Sequence, residues 1–176
     1  YLISFGERLS VEIVSHAILD LKSKSVALTG KEAGIVTDSN FGQSKPLMDT
    51  TRLRVSTNLE PLLSKKFIPV IGGFAGADQH GHITTFGRGG SDYTASIVGA
   101  GIGAEEIQIW TDVDGVLTAD PRKVRKAFPV PAMTYREAME MSHFGAKVIH
   151  PPTILPALAK GIPLRIKNSF KPEHPG

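Results

Sequence analysis

The chain has 176 residues, 41% of them hydrophobic and 21% charged, with a formal net charge of +3 and no cysteine. That length suits one packed domain rather than two, and the composition excludes a disordered or fibrous chain. The lack of cysteine removes disulfide scaffolds, thiolate zinc sites and cysteine nucleophiles together. Lys and Arg are scattered without basic runs or interleaved aromatics, so nucleic acid is not indicated, and no apolar run reaches the roughly 18 residues that would suggest a membrane span. A small anionic substrate fits the mild basicity, with a sequence pI near 9.2.

The first residues, Tyr1-Leu2-Ile3-Ser4-Phe5-Gly6-Glu7, hold no methionine and nothing like a secretory leader. Apolar positions Leu9, Ile13, Val14, Ala17, Ile18 and Leu21 then recur at three- and four-residue spacing, which predicts an amphipathic helix. Ser25 to Leu28 reads as a short buried strand. Residues 38–50 are rich in Asp, Ser, Asn, Gly and Pro and predict a loop, followed by a helix from Thr57 to Lys65 and a strand from Phe67 to Ile71. The segment from Ala77 to Thr85 predicts a polar hairpin. Next come a helix from Ser91, a strand from Glu106 to Trp110, a loop from Thr111 to Val130 and a helix from Tyr135 to Ser142. A helix opening at Pro151 or Pro152 and a strand from Leu164 to Ile166 complete the series. The polar, proline-containing end, Lys171 to Gly176, reads as a linker, and both ends look cut from something longer. Strands alternating with helices imply an α/β fold with a mostly parallel sheet covered on both faces.

In such sheets ligands sit at the carboxyl ends of strands, so polar residues that follow a strand come first. Four places qualify. They are Phe74 and its neighbours, the turn Gly87-Arg88-Gly89-Gly90-Ser91-Asp92, the pair Thr111-Asp112, and Phe144-Gly145-Ala146-Lys147. Their convergence would make one cleft. The glycine-rich turn has the form of an anion site at a helix start, where unpaired N–H groups and a cation meet a carboxylate or phosphate. The same residues also suit a plain helix cap, with Ser91 or Asp92 capping and Arg88 a solvated charge.

Duller readings stand beside the others. Asp114-Gly115 and Asp120-Pro121 are ordinary turn pairs, and the spacing of carboxylates in their loop does not fit a calcium site. Lys147, alone in an apolar stretch, suits a side chain snorkelling to water. Gly99 to Ala104 imitates a dinucleotide fingerprint but follows a helix instead of a strand. The six histidines lack partners at ligand spacing, so no metal site is expected.

Six stretches in register carry a resemblance: Ser4-Phe5-Gly6-Glu7; Gly72-Gly73-Phe74; Thr85 to Ala95; Trp110 to Val116; Asp120-Pro121-Arg122; and Phe144 to Pro151. Together they resemble aspartate kinase, of the amino acid kinase family, over nearly the whole chain. The resemblance implies the three-layer αβα fold of that family. It also implies ATP-dependent phosphorylation of the side-chain carboxylate of L-aspartate to 4-phospho-L-aspartate, the first step toward lysine, threonine and methionine. A carboxylate ionised at neutral pH needs no general base, so alignment and charge neutralisation carry such a reaction.

By the same resemblance Asp92 and Lys147 are the catalytic residues. Glu7 binds the substrate ammonium, Phe74 walls the pocket, and Arg88, Gly89, Gly90 and Ser91 hold the substrate carboxylate. Thr111, Asp112, Leu117, Arg122, Lys147 and Val148 face ATP, and Mg2+ is held through the nucleotide phosphates, with no protein metal site. Leu117 stands where the family usually has tyrosine, which implies weaker nucleotide contact. The family's opening Lys-Phe-Gly-Gly strand would precede Tyr1, and its regulatory ACT domains would follow the linker. Residues 1–170 are therefore expected to be a partial catalytic domain, incomplete at its N-terminus, with little activity or solubility alone. A homo-oligomeric parent, cytoplasmic or in a plant plastid, is implied, and fusion to homoserine dehydrogenase is compatible. The competing readings are a nucleotide-binding or subunit-association module without turnover, and another acyl-phosphate-forming amino acid kinase.

Overall fold

The computed structural model describes residues 1–119, 123–143 and 151–176. After a single 3-10 turn, Leu2–Ser4, comes helix α1, Phe5–Asp20. Strand β1, Ser25–Leu28, leads to a one-turn helix α2, Gly30–Ala33, and a two-residue strand β2, Val36–Thr37. Helix α3, Met48–Ser64, precedes strand β3, Ile68–Ile71, and the hairpin of β4, Ala75–Asp78, with β5, Ile83–Thr85. Helix α4, Gly90–Ile102, strand β6, Ile107–Thr111, helices α5, Tyr135–His143, and α6, Pro151–Lys160, and strand β7, Leu164–Asn168, follow. No described helix is long and apolar enough to cross a membrane.

Parallel pairing dominates: β1 with β3, β2 with β4 and β6 with β7, the hairpin pair β4–β5 alone being antiparallel. Instead of one continuous sheet, the described strands form three separate sheets, ordered β1-β3, β2-β4-β5 and β6-β7. Helix α4 ties them together. Its Ile97 belongs to one apolar cluster with Ala33, Ile35, Val55, Leu59 and Phe86, and its Ala100 to a second with Ile107, Ala157 and Ile162. The glycines of the false dinucleotide motif explain how α4 is approached from both sides. A Cβ on Gly101 would lie 2.6 Å from Val55 Cγ1, and one on Gly99 would lie 2.6 Å from Ile107 Cδ1. Close packing, not phosphate binding, fixes those residues.

Three departures from the sequence reading have physical causes. Helix α3 starts at Met48, nine residues before the expected Thr57, inside the stretch expected to be loop. Thr51 is the reason: its hydroxyl donates to Val36 O at 2.8 Å and accepts from Val36 N at 3.0 Å, so the polar first turn of α3 satisfies the edge of β2. Helix α2 and strand β2 were not anticipated. Thr29 caps α2 in a reciprocal box with Glu32, Glu32 N donating to Thr29 Oγ1 at 3.2 Å and Thr29 N to Glu32 Oε2 at 2.8 Å. Helix α1 forms as expected but turns its other face inward. Val11 and Ser15 are buried, while Leu9, Ile13 and Val14 remain exposed. The Ser15 and Ser25 hydroxyls meet at 2.9 Å, pinning that face to β1.

Residues 171–176, expected as a linker, lie back against β7 and the segment after β6: Arg165 donates to Pro175 O at 3.0 Å and Lys171 meets Asp114 at 2.8 Å.

Candidate active site

The first group of candidate residues assembles where β3 ends. Past Ile71 the chain runs through Gly72 and Gly73 to Phe74, which adopts φ +67, a left-handed conformation costly for an aromatic residue. Two bonds hold it there: Phe74 N donates to Thr94 Oγ1 at 3.1 Å, and Phe86 N donates to Phe74 O at 3.0 Å. Thr94 Oγ1 in turn donates to Gly90 O at 2.8 Å, so the residue before the hairpin and the first turn of α4 share one hydroxyl.

The glycine-rich turn packs tightly on the same point. A Cβ on Gly73 would stand 3.1 Å from Ser91 Cα, and one on Gly90 would stand 2.8 Å from Phe74 Cδ2 and 3.0 Å from Phe74 Cα. Only residues without a side chain allow this approach. Across Gly72 lies Glu7, whose Cβ would be 3.9 Å from a Cβ there. The structure thus places Phe74 against Gly90 of the glycine-rich turn, Ser91 against Gly73, and the backbone end of the Glu7 side chain beside Gly72.

Capping does not explain the turn. The N-cap of α4 is Gly89, in the left-handed region at φ +72, and no side chain caps the helix. Gly90 N donates to Gly87 O at 3.2 Å and Tyr93 N to Gly89 O at 3.0 Å, whereas the amides of Ser91 and Asp92 have no acceptor among the described residues. These two N–H groups lie at the positive end of a helix beside Arg88, which is exposed, an arrangement suited to an anion. Neither Arg88 nor Glu7 has an ion-pair partner among the described residues. Asp92 sits half-buried on the first turn, and burial raises its carboxyl above the ordinary aspartate value.

The second group lies at the end of β6. Helix α4 has 13 residues, about 20 Å of rise, and β6 has five, about 17 Å. The chain reverses between them at Gly103, φ +63, and α4 packs on β6. Thr111 thus returns to the end of the fold from which Gly90 started. Thr111 Oγ1 donates to Asp112 Oδ1 at 3.2 Å, and Asp112 is exposed. Leu117 bridges antiparallel to Pro129, with Thr118 N donating to Phe128 O at 3.0 Å and Val130 N to Val116 O at 2.8 Å. The expected loop from Thr111 to Val130 is a partly laddered ribbon at that point. Arg122, Lys147 and Val148 lie outside the described residues, as does the fourth post-strand place, Phe144 to Lys147.

Sequence reasoning gave Thr94 no role. It sits four residues after Gly90, the spacing at which a helical Thr reaches back to a carbonyl, and that spacing was the available signal.

The model of the amino acid kinase family matches residues 1–168. The chain belongs to the amino acid kinase family. Within that family it is similar to aspartokinase 1, chloroplastic, of Arabidopsis thaliana, with 40% identity over all of this chain and 31% of the relative. Aspartokinase 1 of Bacillus subtilis is 39% identical over 96% of this chain and 41% of its own length. Among solved structures, E. coli aspartokinase III in complex with aspartate and ADP, in its R-state, superposes with a TM-score of 0.87 at 33% identity, covering 97% of this chain and 38% of that one. The amino acid kinase fold and the resemblance to aspartokinases are thereby established. The chain spans only about a third to two fifths of these relatives.

Proposed function

We propose that this amino acid kinase chain serves ATP-dependent phosphorylation of the L-aspartate side-chain carboxylate. The observation that carries the reading is the pairing, at the end of β3, of a cradle for one carboxylate with an acid, Glu7, that has no ion-pair partner among the described residues. Arg88 and the Ser91 and Asp92 amides take the α-carboxylate, and Glu7 takes the α-ammonium. Phe74 bounds the space left for the side chain. Held at both α-substituents, aspartate turns its second carboxylate toward the end of β6. That the E. coli relative carries aspartate and ADP together supports this assignment.

In the reaction one side-chain oxygen attacks the γ-phosphorus of Mg-ATP, the bond from that phosphorus to the bridging oxygen breaks, and ADP leaves with the electron pair. No proton need be removed from the attacking oxygen, because the carboxylate is already ionised. Positioning and charge neutralisation therefore supply the catalysis. Asp92 stands beside the ammonium and the transferring group, and Thr111 and Asp112 orient the nucleotide, with Leu117 bordering it. Arg122 at the phosphates, and Lys147 with the Val148 backbone on the ATP side, complete the proposal. Mg2+ travels with the nucleotide as part of the substrate. Homo-oligomerisation and fusion to homoserine dehydrogenase in a parent protein belong to the same proposal.

The test is acyl-phosphate formation trapped as the hydroxamate, in the natural protein that carries this chain, with aspartate, glutamate and acetylglutamate offered in parallel. Aspartate-dependent ADP release that Arg88→Ala reduces ~100-fold or more in kcat/KM for aspartate is the expected result, as for loss of a bidentate charged contact. Mg-ATP binding with no aspartate-dependent turnover would instead leave a nucleotide-binding module.

A further inference from the structure

Asp114 lies three residues past the end of β6 and has no part in the assignments above, yet both its carboxylate oxygens are engaged. Oδ1 accepts from Asn168 Nδ2 at 2.5 Å and Oδ2 accepts from Lys171 Nζ at 2.8 Å. Asn168 is the last residue of β7, paired in register with Thr111, and is buried. Its own Oδ1 accepts from Phe170 N at 2.9 Å, and Ser169 N donates to Thr111 O at 2.8 Å. Thr111 and Asp112 thus sit on a short span fixed at both ends: by the β6–β7 ladder before them and by the Asp114 carboxylate after them.

We propose that Asp114, through Asn168 and Lys171, is a positioning residue for the nucleotide, clamping the Thr111–Asp112 span to the segment after β7. The inference rests on the reading of Thr111 and Asp112 as nucleotide contacts. The ion pair is well placed for such work, because the Asp114 side chain is only 25% exposed while Lys171 is 61% exposed. One end of the clamp is therefore anchored and the other open to solvent. Lys171 and then Asn168 hold the Asp114 carboxyl below the ordinary aspartate value, so the clamp stays charged at neutral pH. Without it the span is tied at one end only, and the nucleotide must order it on binding. That cost appears in ATP affinity and leaves the aspartate cradle untouched, since the cradle is built on β3 and α4.

The experiment compares Asp114→Ala, Lys171→Met, Lys171→Arg and Asp112→Ala in the natural protein that carries this chain. KM for ATP, KM for aspartate, kcat and thermal midpoint are read together. Asp114→Ala is expected to raise KM for ATP ~5–20-fold and Lys171→Met ~2–5-fold, with KM for aspartate and kcat held within about twofold. Lys171→Arg is expected to restore the ATP value, and Lys171→Met, on an exposed side chain, keeps the test alive if Asp114→Ala fails to fold. If Asp112→Ala raises KM for ATP while Asp114→Ala and Lys171→Met do not, the clamp is refuted and the nucleotide reading survives. If none of the three moves it, the nucleotide reading falls and the clamp with it. A lowered thermal midpoint with both KM values raised alike would show a structural bond only.

Discussion

Replacing Gly90 by alanine probes the joint between the anion turn and the aromatic wall. The new methyl would lie 2.8 Å from Phe74 Cδ2, 3.0 Å from Phe74 Cα and 3.3 Å from Phe86 Cβ, so both ring and backbone oppose it. Rotating the ring relieves only the first contact. The second requires Phe74 to move as a whole, against the bonds from its N to Thr94 and from Phe86 to its carbonyl. Overpacking of this kind costs about 1–3 kcal/mol, against which the helix preference of alanine over glycine, at most ~1 kcal/mol, is a partial offset. A net loss of about 1–2 kcal/mol lowers the thermal midpoint by several degrees, roughly 2–8 °C for domains of this size range. Because the displaced residues are the proposed aspartate pocket, KM for aspartate should rise ~10-fold or more while KM for ATP changes little. Gly6→Ala is the control, since nothing lies within 4 Å of a Cβ there, and it should be neutral or stabilising. Differential scanning fluorimetry and initial-rate kinetics measure both. A Gly90→Ala protein with an unchanged midpoint and unchanged KM for aspartate would refute the reasoning.

Three further outcomes are expected. Burial raises the Asp92 carboxyl, so its ionised form is disfavoured by folding and the stability it contributes is lost as pH rises through its folded value. Asp92→Asn should therefore raise the thermal midpoint at pH 7, lose that advantage below the ordinary aspartate value of 3.8, and abolish turnover, as a midpoint-versus-pH series with a rate assay would show. Asp78 behaves oppositely: burial pushes its carboxyl up, but the His82 backbone, the His82 ring and Ser39 outweigh it and hold it at about 2. Its contribution is complete above 3.8 and fades as pH falls toward about 2, so Asp78→Asn should flatten the acid limb of a urea-midpoint profile in that window. Leu117→Tyr, restoring the ring usual in aspartate kinases, should lower KM for ATP ~2–10-fold, as an aromatic contact worth about 0.5–1.5 kcal/mol would; no change would place Leu117 away from the nucleotide.

The elements with strong local signals were legible in the chain. Strand β3, the hairpin, α4 and β6 fall within a few residues of expectation because apolar runs bounded by glycine and polar turns leave little choice. The start of α3 was hidden because its first turn, Asp49-Thr50-Thr51-Arg52, is polar, and only β2 gives Thr51 its buried role. Thr29-Gly30-Lys31-Glu32 spelled a capping box and could have revealed α2, but four residues are too few for periodicity to register. At the candidate site, glycine spacing singled out the turn before α4. It could not say that Gly73 and Gly90 serve to bring Ser91 and Phe74 together, since that depends on what lies across from each. The inward face of α1 likewise follows from its neighbour β1, not from the run of apolar residues along the helix.

Phe74, Thr94 and Gly90 are joined hydroxyl to backbone into one unit, so the aromatic wall cannot be re-aimed without moving the anion turn. Under the proposed aspartate reading, the breadth of the side-chain compartment is accordingly set by the same turn that takes the α-carboxylate. A variant admitting a longer diacid would arise through changes behind the wall, at Thr94 or Gly90, sooner than by trimming Phe74 itself. Selection for new acceptors should enrich substitutions at Thr94, which is given no substrate contact, ahead of Phe74.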